Sequence, residues 1–254
     1  MFIIIILILG IFLLLFMIMQ AFLNRVMEVE IEFSDFPKSF GKVSLFFISD
    51  IHRRSISDKI INTLKGRTDL VIIGGDLTEK GVPFSKVKEN LQKLKHLGPV
   101  YFVWGNNDYE VDYHELDALL LDLGVKVLDN TAVTFESGEG DKLCLLGVDD
   151  LSQERDRLDF ALMDADPNSF KILASHYPQI TEKIQHEHEI RLVLSGHTHG
   201  GQIHILGYSP YKRGELKSLE KTTLLISNGY GTTSVPLRLG APAETHLITL
   251  KNGN

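Results

Sequence analysis

Met1 to Met19 is almost wholly Ile, Leu, Phe and Met, with no polar side to the run. At about 1.5 Å per residue such a helix reaches about 28 Å, close to the ~30 Å hydrocarbon core of a bilayer. Beyond it the rhythm changes. Val29 to Phe33 alternates with glutamates, as an edge strand does. Val43–Ser49, Leu70–Ile73, Val100–Trp104, Ile172–Ser175 and Ile190–Leu194 are short, largely apolar runs that read as buried strands. Helical spacing lies between some of them. Ile60, Ile61 and Leu64 share a face within 57–64. Phe84, Val87, Leu91 and Leu94 form a stripe opened by Pro83 and closed by Gly98-Pro99. Asp112 with Glu115 makes a capping pair ahead of Leu116, Leu119, Leu120 and Leu123, and Gly124 is the stop. Val125–Leu128, Thr131–Phe135, Leu143–Val148, Leu224–Ser227 and His246–Leu250 read as further strands. A polar helix is expected over 153–163, a short one over 181–185, and a loop rich in Gly, Tyr and Lys over 206–221. There is no internal repeat or linker. The pattern predicts one α/β domain over 25–254 behind a transmembrane anchor over 1–24.

Composition narrows the class. The chain has 254 residues and a net charge of -7, with no basic block. That argues against a general nucleic-acid surface, though not against short or single-stranded substrates. Cys144 is the only cysteine, so no internal disulfide can form; it reads as a buried strand residue. No Lys or Arg precedes the N-terminal run, and Met19-Gln20-Ala21 is a poor cleavage site. These features favour an uncleaved single-pass anchor over a signal peptide. Arg25, Lys38 and Lys42 follow the run, and the positive-inside rule then places the domain in the cytoplasm.

The candidate chemistry sits where the apolar runs stop. They end in Asp50-Ile51-His52, Gly74-Gly75-Asp76, Gly105-Asn106-Asn107-Asp108, His176, and Gly196-His197-Thr198-His199-Gly200-Gly201. Open α/β sheets build sites at the carboxyl ends of their strands. Singly each residue has a plain alternative: a helix cap or turn for Asp50 and Asp76, a turn for His176, a left-handed turn for Asn106. The ordered set is what carries the chemistry. It resembles the calcineurin-like metallophosphoesterase superfamily, whose signature is Asp-x-His, Gly-Asp, Gly-Asn-His/Asp, a lone His, and Gly-His-x-His. The extended Gly-His-Thr-His-Gly-Gly-Gln is similar to the membrane-associated bacterial branch, which includes UDP-2,3-diacylglucosamine pyrophosphohydrolase-like enzymes and broad phosphodiesterases.

The resemblance implies a mixed β-sandwich flanked by helices and a centre of two divalent metal ions. Asp50, His52, Asp76 and His199 would hold one; Asp76, Asn106, His176 and His197 the other, with Asp76 shared. Imidazole and carboxylate ligands without thiolate suit Mn, Fe or Zn, manganese first. A water shared by both ions would have its pKa lowered toward ~7 and attack phosphorus in line, without a phospho-enzyme. Asp76 and Asn107 are the catalytic candidates. Asn107 stands where the family usually has a histidine that assists the leaving group, a role worth ~10²–10⁴ in rate. Good leaving groups would tolerate the change, or a neighbour would substitute: Asp108, Tyr109, His204, Arg53 or Arg54. Arg53, Arg54 and His204 are also substrate-binding candidates. Asp149-Asp150 is a candidate for substrate or ligand support. Tyr208, Tyr211, Lys212 and Arg213 form a candidate lid, whose plain alternative is a solvated loop. His186, His188, His96, His114 and His246 read as surface or structural.

Three functions follow. The first is a membrane-anchored phosphoesterase acting on phosphodiester or pyrophosphate bonds of a phosphorylated small-molecule, lipid-linked or envelope substrate. The second is a nucleotide or nucleic-acid phosphodiesterase, and the third a membrane-tethered binding module with weakened catalysis. The bilayer is the one partner the sequence implies; no obligate protein partner is inferred.

Overall fold

Alternation along the central strands decides the architecture. In the computed structural model, which describes residues 1–253, β2 (Lys42–Ile48) sends Leu45 and Phe47 to one side and Phe46 and Ile48 to the other, and both sides are buried. A strand covered on both faces must lie inside a layered fold. The first sheet runs β1 (Arg25–Phe33), β12 (Glu244–Asn252), β2, β3 (Leu70–Gly74), β4 (Val100–Val103) and β5 (Lys126–Val127). The second runs β10 (Leu216–Ser218), β11 (Thr223–Ile226), β9 (Ile190–Ser195), β8 (Phe170–Ala174), β7 (Lys142–Gly147) and β6 (Thr131–Glu136). β2 to β5 are parallel, as are β7, β8, β9 and β11. The antiparallel pairs are β12 with β2, β6 with β7, and β10 with β11.

The inner faces meet in one core. Leu45, Phe47, Ile72 and Val103 pack against Leu143, Leu145, Ile172 and Leu194. The outer face of the first sheet lies under α2 (Asp58–Leu64), α3 (Phe84–Lys95) and α4 (Tyr113–Asp122), through Ile60, Leu64, Leu91, Leu94, Leu116 and Leu120. The outer face of the second lies under α5 (Leu158–Asp164), through Leu158 and Ala161. Truncating any of these buried leucines to Ala would cost about 2–5 kcal/mol. The mixed β-sandwich flanked by helices is therefore as expected.

Three local expectations are corrected. The helix expected over 153–163 begins only at Leu158: residues 153–157 are all polar, and Glu154 takes a left-handed φ of 56° that ends a single 3-10 turn. The short helix over 181–185 is a 3-10 turn, Pro178–Lys183. The 206–221 loop contains β10, which pairs with β11.

The N-terminal helix α1 (Phe2–Ala21) carries no charged residue, and its apolar length is not buried in the protein. Only its last turns touch the domain. Met17 O accepts from Arg238 N–H at 3.1 Å and Gln20 O from Ala243 N–H at 3.2 Å.

Candidate metal centre

β2, β3 and β4 run parallel in one sheet and β8 and β9 parallel in the other, and the ligand-type residues follow their carboxyl ends. Side chains after a strand would alternate if the chain stayed extended. Here Asp50, His52, Asp76, His197 and His199 take left-handed φ of 54°, 52°, 51°, 68° and 50°. Such backbone costs on the order of 1 kcal/mol or more at a non-glycine residue and persists only where the surroundings enforce it. Its effect is to turn the chain sharply, so that consecutive loops aim inward. Two glycines permit the approach. A Cβ on Gly105 would lie 2.3 Å from Asp76 Oδ1, and one on Gly196 would lie 2.5 Å from Asp50 Oδ2.

Six of the side chains converge. His52 Nε2 lies 3.1 Å from His199 Nε2, and His176 Nε2 lies 3.3 Å from His197 Nδ1. Asp76 Oδ2 sits between the pairs, 3.7 Å from His52 Nε2 and 3.3 Å from His176 Nε2. Asp50 Oδ1 is 3.4 Å from His199 Nε2 and accepts the His197 N–H at 3.0 Å. Two groups bring their ligand atoms within 4.8 Å of one another: Asp50, His52 and His199, and Asp50, Asp76 and His176. Asn106 borders the second pair. Its Oδ1 accepts from Tyr177 O–H at 3.1 Å, and the Tyr177 ring stacks on His197 at 3.8 Å.

These donors fit divalent cations. Asp50 Oδ2 is buried and has no hydrogen-bond partner, a costly state for a carboxylate oxygen unless a cation completes it. The ring nitrogens of the two histidine pairs lie 3.1 Å and 3.3 Å apart, close enough for each pair to serve one cation. Burial, reinforced by the neighbouring His176, pushes His197 down to about 4. Burial also holds His199 down at about 3, and the nearby Arg238 guanidinium adds to it. Both rings are thus neutral, as ligands must be. Burial opposes charge on Asp76 and His176 as well, but their mutual attraction wins: Asp76 is held below the usual carboxylate range and His176 is raised to about 10, so His176 carries a proton that a cation binding there would displace.

A supporting layer that the motif does not name holds these groups. Glu79 Oε2 lies 3.0 Å from His52 Nδ1, and Arg53 Nε in turn donates to Glu79 Oε1. Gly74 O lies 2.8 Å from His176 Nδ1 and so leaves Nε2 for the centre. Asp108 is fully buried and accepts backbone N–H groups of Gly105, Asp76 and Thr78 at 2.9, 2.8 and 3.0 Å, which ties the β3 and β4 loops together. Arg238 is the largest fully buried side chain. Its guanidinium donates to carbonyls of His199, Ala241, Asn228 and Gly231 at 3.0, 2.8, 2.6 and 2.7 Å, and it lies 3.2 Å from His199 Nδ1.

Other candidates lie elsewhere. Arg54 does not face the centre: it donates to the carbonyls of Ala21, Phe22, Leu23 and Tyr230 and stacks 3.7 Å over the Tyr230 ring, holding the end of α1. His204 is fastened to Gly200 O at 2.7 Å. The Asn107 amide donates to Glu110 Oε1 at 2.8 Å rather than pointing free, while its backbone N–H donates to Asp76 Oδ1 at 2.8 Å. Asp149 accepts from Tyr109 O–H at 2.6 Å and Arg155 Nε at 2.7 Å. Asp150 caps its own 3-10 turn through Ser152. Of the lid residues, the Tyr211 ring reaches within 6.2 Å of the His197 ring.

A family model for the calcineurin-like phosphoesterases matches residues 43–201, the segment that contains every one of these ligand-type residues. The chain belongs to the calcineurin-like phosphoesterase family. Among its relatives, the protein YpbG of Bacillus subtilis is 46% identical over 210 residues, covering 82% of this chain and 81% of that protein. The "Transmembrane protein with metallophosphoesterase domain" of Danio rerio is 31% identical and covers 89% of this chain, which spans only 57% of that longer protein. The fold also matches a 5'-nucleotidase precursor from Thermus thermophilus, with a TM-score of 0.54 at 13% identity over 82% of this chain and 55% of the other.

Proposed function

We propose that this metallophosphoesterase is a binuclear, manganese-preferring phosphodiesterase or pyrophosphohydrolase held in a membrane by α1, with its domain on the cytoplasmic face. One observation carries the reading: Asp76 lies between two histidine pairs beside a buried, unpartnered Asp50 Oδ2. Asp50, His52, Asp76 and His199 would hold one ion, and Asp76, Asn106, His176 and His197 the other. Divalent ions bound there would polarise phosphoryl oxygens and make water acidic enough to serve as nucleophile near neutral pH. The protein's part is positional. Asp108 locks the two loops that present Asp76 and Asn106. The Gly74 carbonyl fixes the ring orientation of His176, and the Glu79 carboxylate sits 3.0 Å from His52 Nδ1.

The donor that Asn107 cannot supply is assigned to Tyr177. Burial pushes the Tyr177 hydroxyl up to about 12, so it keeps its proton at neutral pH beside Asn106. Rotated away from Asn106 Oδ1, that O–H would hydrogen-bond a leaving oxygen, without transferring its proton. Membrane placement is supported by the exposed 20-residue apolar helix and by relatives named as transmembrane proteins. An anchor confines the centre near headgroups, which favours a lipid-linked or envelope-derived diester.

The test uses full-length protein in detergent with Mn²⁺, assayed on bis-p-nitrophenyl phosphate and p-nitrophenyl phosphate. Faster turnover of the diester, lost in Asp76→Asn, is expected. No turnover with any divalent metal would overturn the enzyme reading in favour of a tethered binding module.

A further inference from the structure

Directly after the metal loop the chain makes a two-residue hairpin. Ile205 N–H donates to Tyr208 O and Tyr208 N–H to Ile205 O, both at 2.9 Å. The turn residues Leu206 and Gly207 have φ of 51° and 87°. Positive φ at both positions is the type I′ turn, which selects Asn-Gly or Asp-Gly. Leucine in the first position is strained there, and it is 95% exposed. Ile205 and Tyr208 beside it are 68% and 84% exposed. In water this arrangement gains nothing from the leucine side chain and bears the backbone strain as well.

The surroundings supply the occupant. Gln202 and His204 pair with Leu239, and the Gln202 amide donates to Val235 O at 3.2 Å. Val235 is itself exposed. The next residue before Leu239 is Arg238, whose N–H holds Met17 O of α1. Met17 lies four residues, or about 6 Å of helix rise, inside the end of α1. If α1 crosses a bilayer, the protein surface bonded to Met17 must meet the interfacial layer. The segment leading into the hairpin and the segment 235–239 are thus hydrogen-bonded to one another, through Gln202, His204, Val235 and Leu239.

We infer that Leu206, Ile205 and Val235 insert into the interfacial layer of the bilayer that holds α1. This rests on the anchor reading given above. Leu206 and Ile205 suit the acyl boundary and Tyr208 the headgroup level, where an aromatic ring with a polar tip is favoured. Exposed Lys212 and Arg213 follow on the same segment, where anionic headgroups would attract them. The segment returns to the centre at Tyr211, beside His197. A second lipid contact would restrain how the domain, and with it the metal centre, sits over the headgroups.

The test is depth measurement on the full chain, with Cys144→Ala, in vesicles of phosphatidylcholine and phosphatidylglycerol. A polarity-sensitive fluorophore is placed on Leu206→Cys, Val235→Cys, Leu9→Cys or Glu139→Cys, and spin-labelled lipids serve as quenchers. Blue-shifted emission and quenching by the shallow label at 206 and 235 are expected, with quenching by the deep label at 9 and none at 139. Quenching at 9 but water-like emission at 206 and 235 would overturn the insertion and leave the anchor standing. No quenching at 9 would overturn both, and equal quenching at 139 and 206 would overturn the insertion. A second variant separates contact from folding. Leu206→Asn suits the type I′ turn, so Tm should rise while quenching at 235 falls; unchanged quenching would contradict the proposal.

Discussion

Replacing Asp76 by Asn keeps the shape of the side chain and removes the charge that lies 3.3 Å from His176 and 3.7 Å from His52. Turnover should vanish while the fold, read by circular dichroism, survives. Glu79→Gln and Arg238→Met act one contact further out. Each should lower metal affinity or activity by about 10–100-fold, measured by Mn²⁺ titration, because each loosens the orientation of a ligand histidine. Tyr177→Phe separates substrates: it should slow diesters with alkyl leaving groups more than p-nitrophenyl diesters. Equal loss on both would remove Tyr177 from leaving-group assistance. These supporting side chains were not legible in the sequence. The candidate ligands announce themselves by following apolar runs. Arg238 meets His199, Asn228 and Gly231 only through folding, and nothing in Val235–Ala243 marks it except one cation in an apolar stretch.

Elements were legible where a hydrophobic face was long enough to read. α3 and α4 follow their stripes and caps, and Asp112 accepts from His114 and Glu115 N–H as its capping spacing implies. The polar run 153–157 misled because it offers no face, and packing through Leu158 and Ala161 fixes where α5 starts. Arg54 likewise reads in sequence as a cation beside a metal motif. Its place on the carbonyls of Ala21, Phe22 and Leu23 needs the end of α1 to be known. Arg54→Ala should therefore leave soluble-substrate kcat within about threefold and lower Tm by several degrees, as loss of hydrogen bonds from a charged donor does. A collapse of kcat at unchanged Tm would return Arg54 to the substrate.

Across the protein, two sheets from distant parts of the chain supply the two halves of one candidate centre, so metal bound there would couple to stability. Removing metal with a chelator should lower Tm, because cations complete buried donors such as Asp50 Oδ2. Acid acts independently at His246, which burial holds near 4 against 6.5 when exposed. Its folded pKa is depressed, so the unfolded chain takes up the proton first. Stability should fall as pH drops from 6.5 to 4, by up to about 3 kcal/mol. His246→Gln should flatten that part of a denaturation-against-pH curve.

Electron paramagnetic resonance of the Mn²⁺-loaded chain, with metal content measured on the same sample, probes whether Asp76 joins two ions. Two ions per chain with an exchange-coupled spectrum, replaced by uncoupled or singly loaded Mn²⁺ in Asp76→Asn, is the expected result. A wild-type chain holding one ion, or two that never couple, would contradict it.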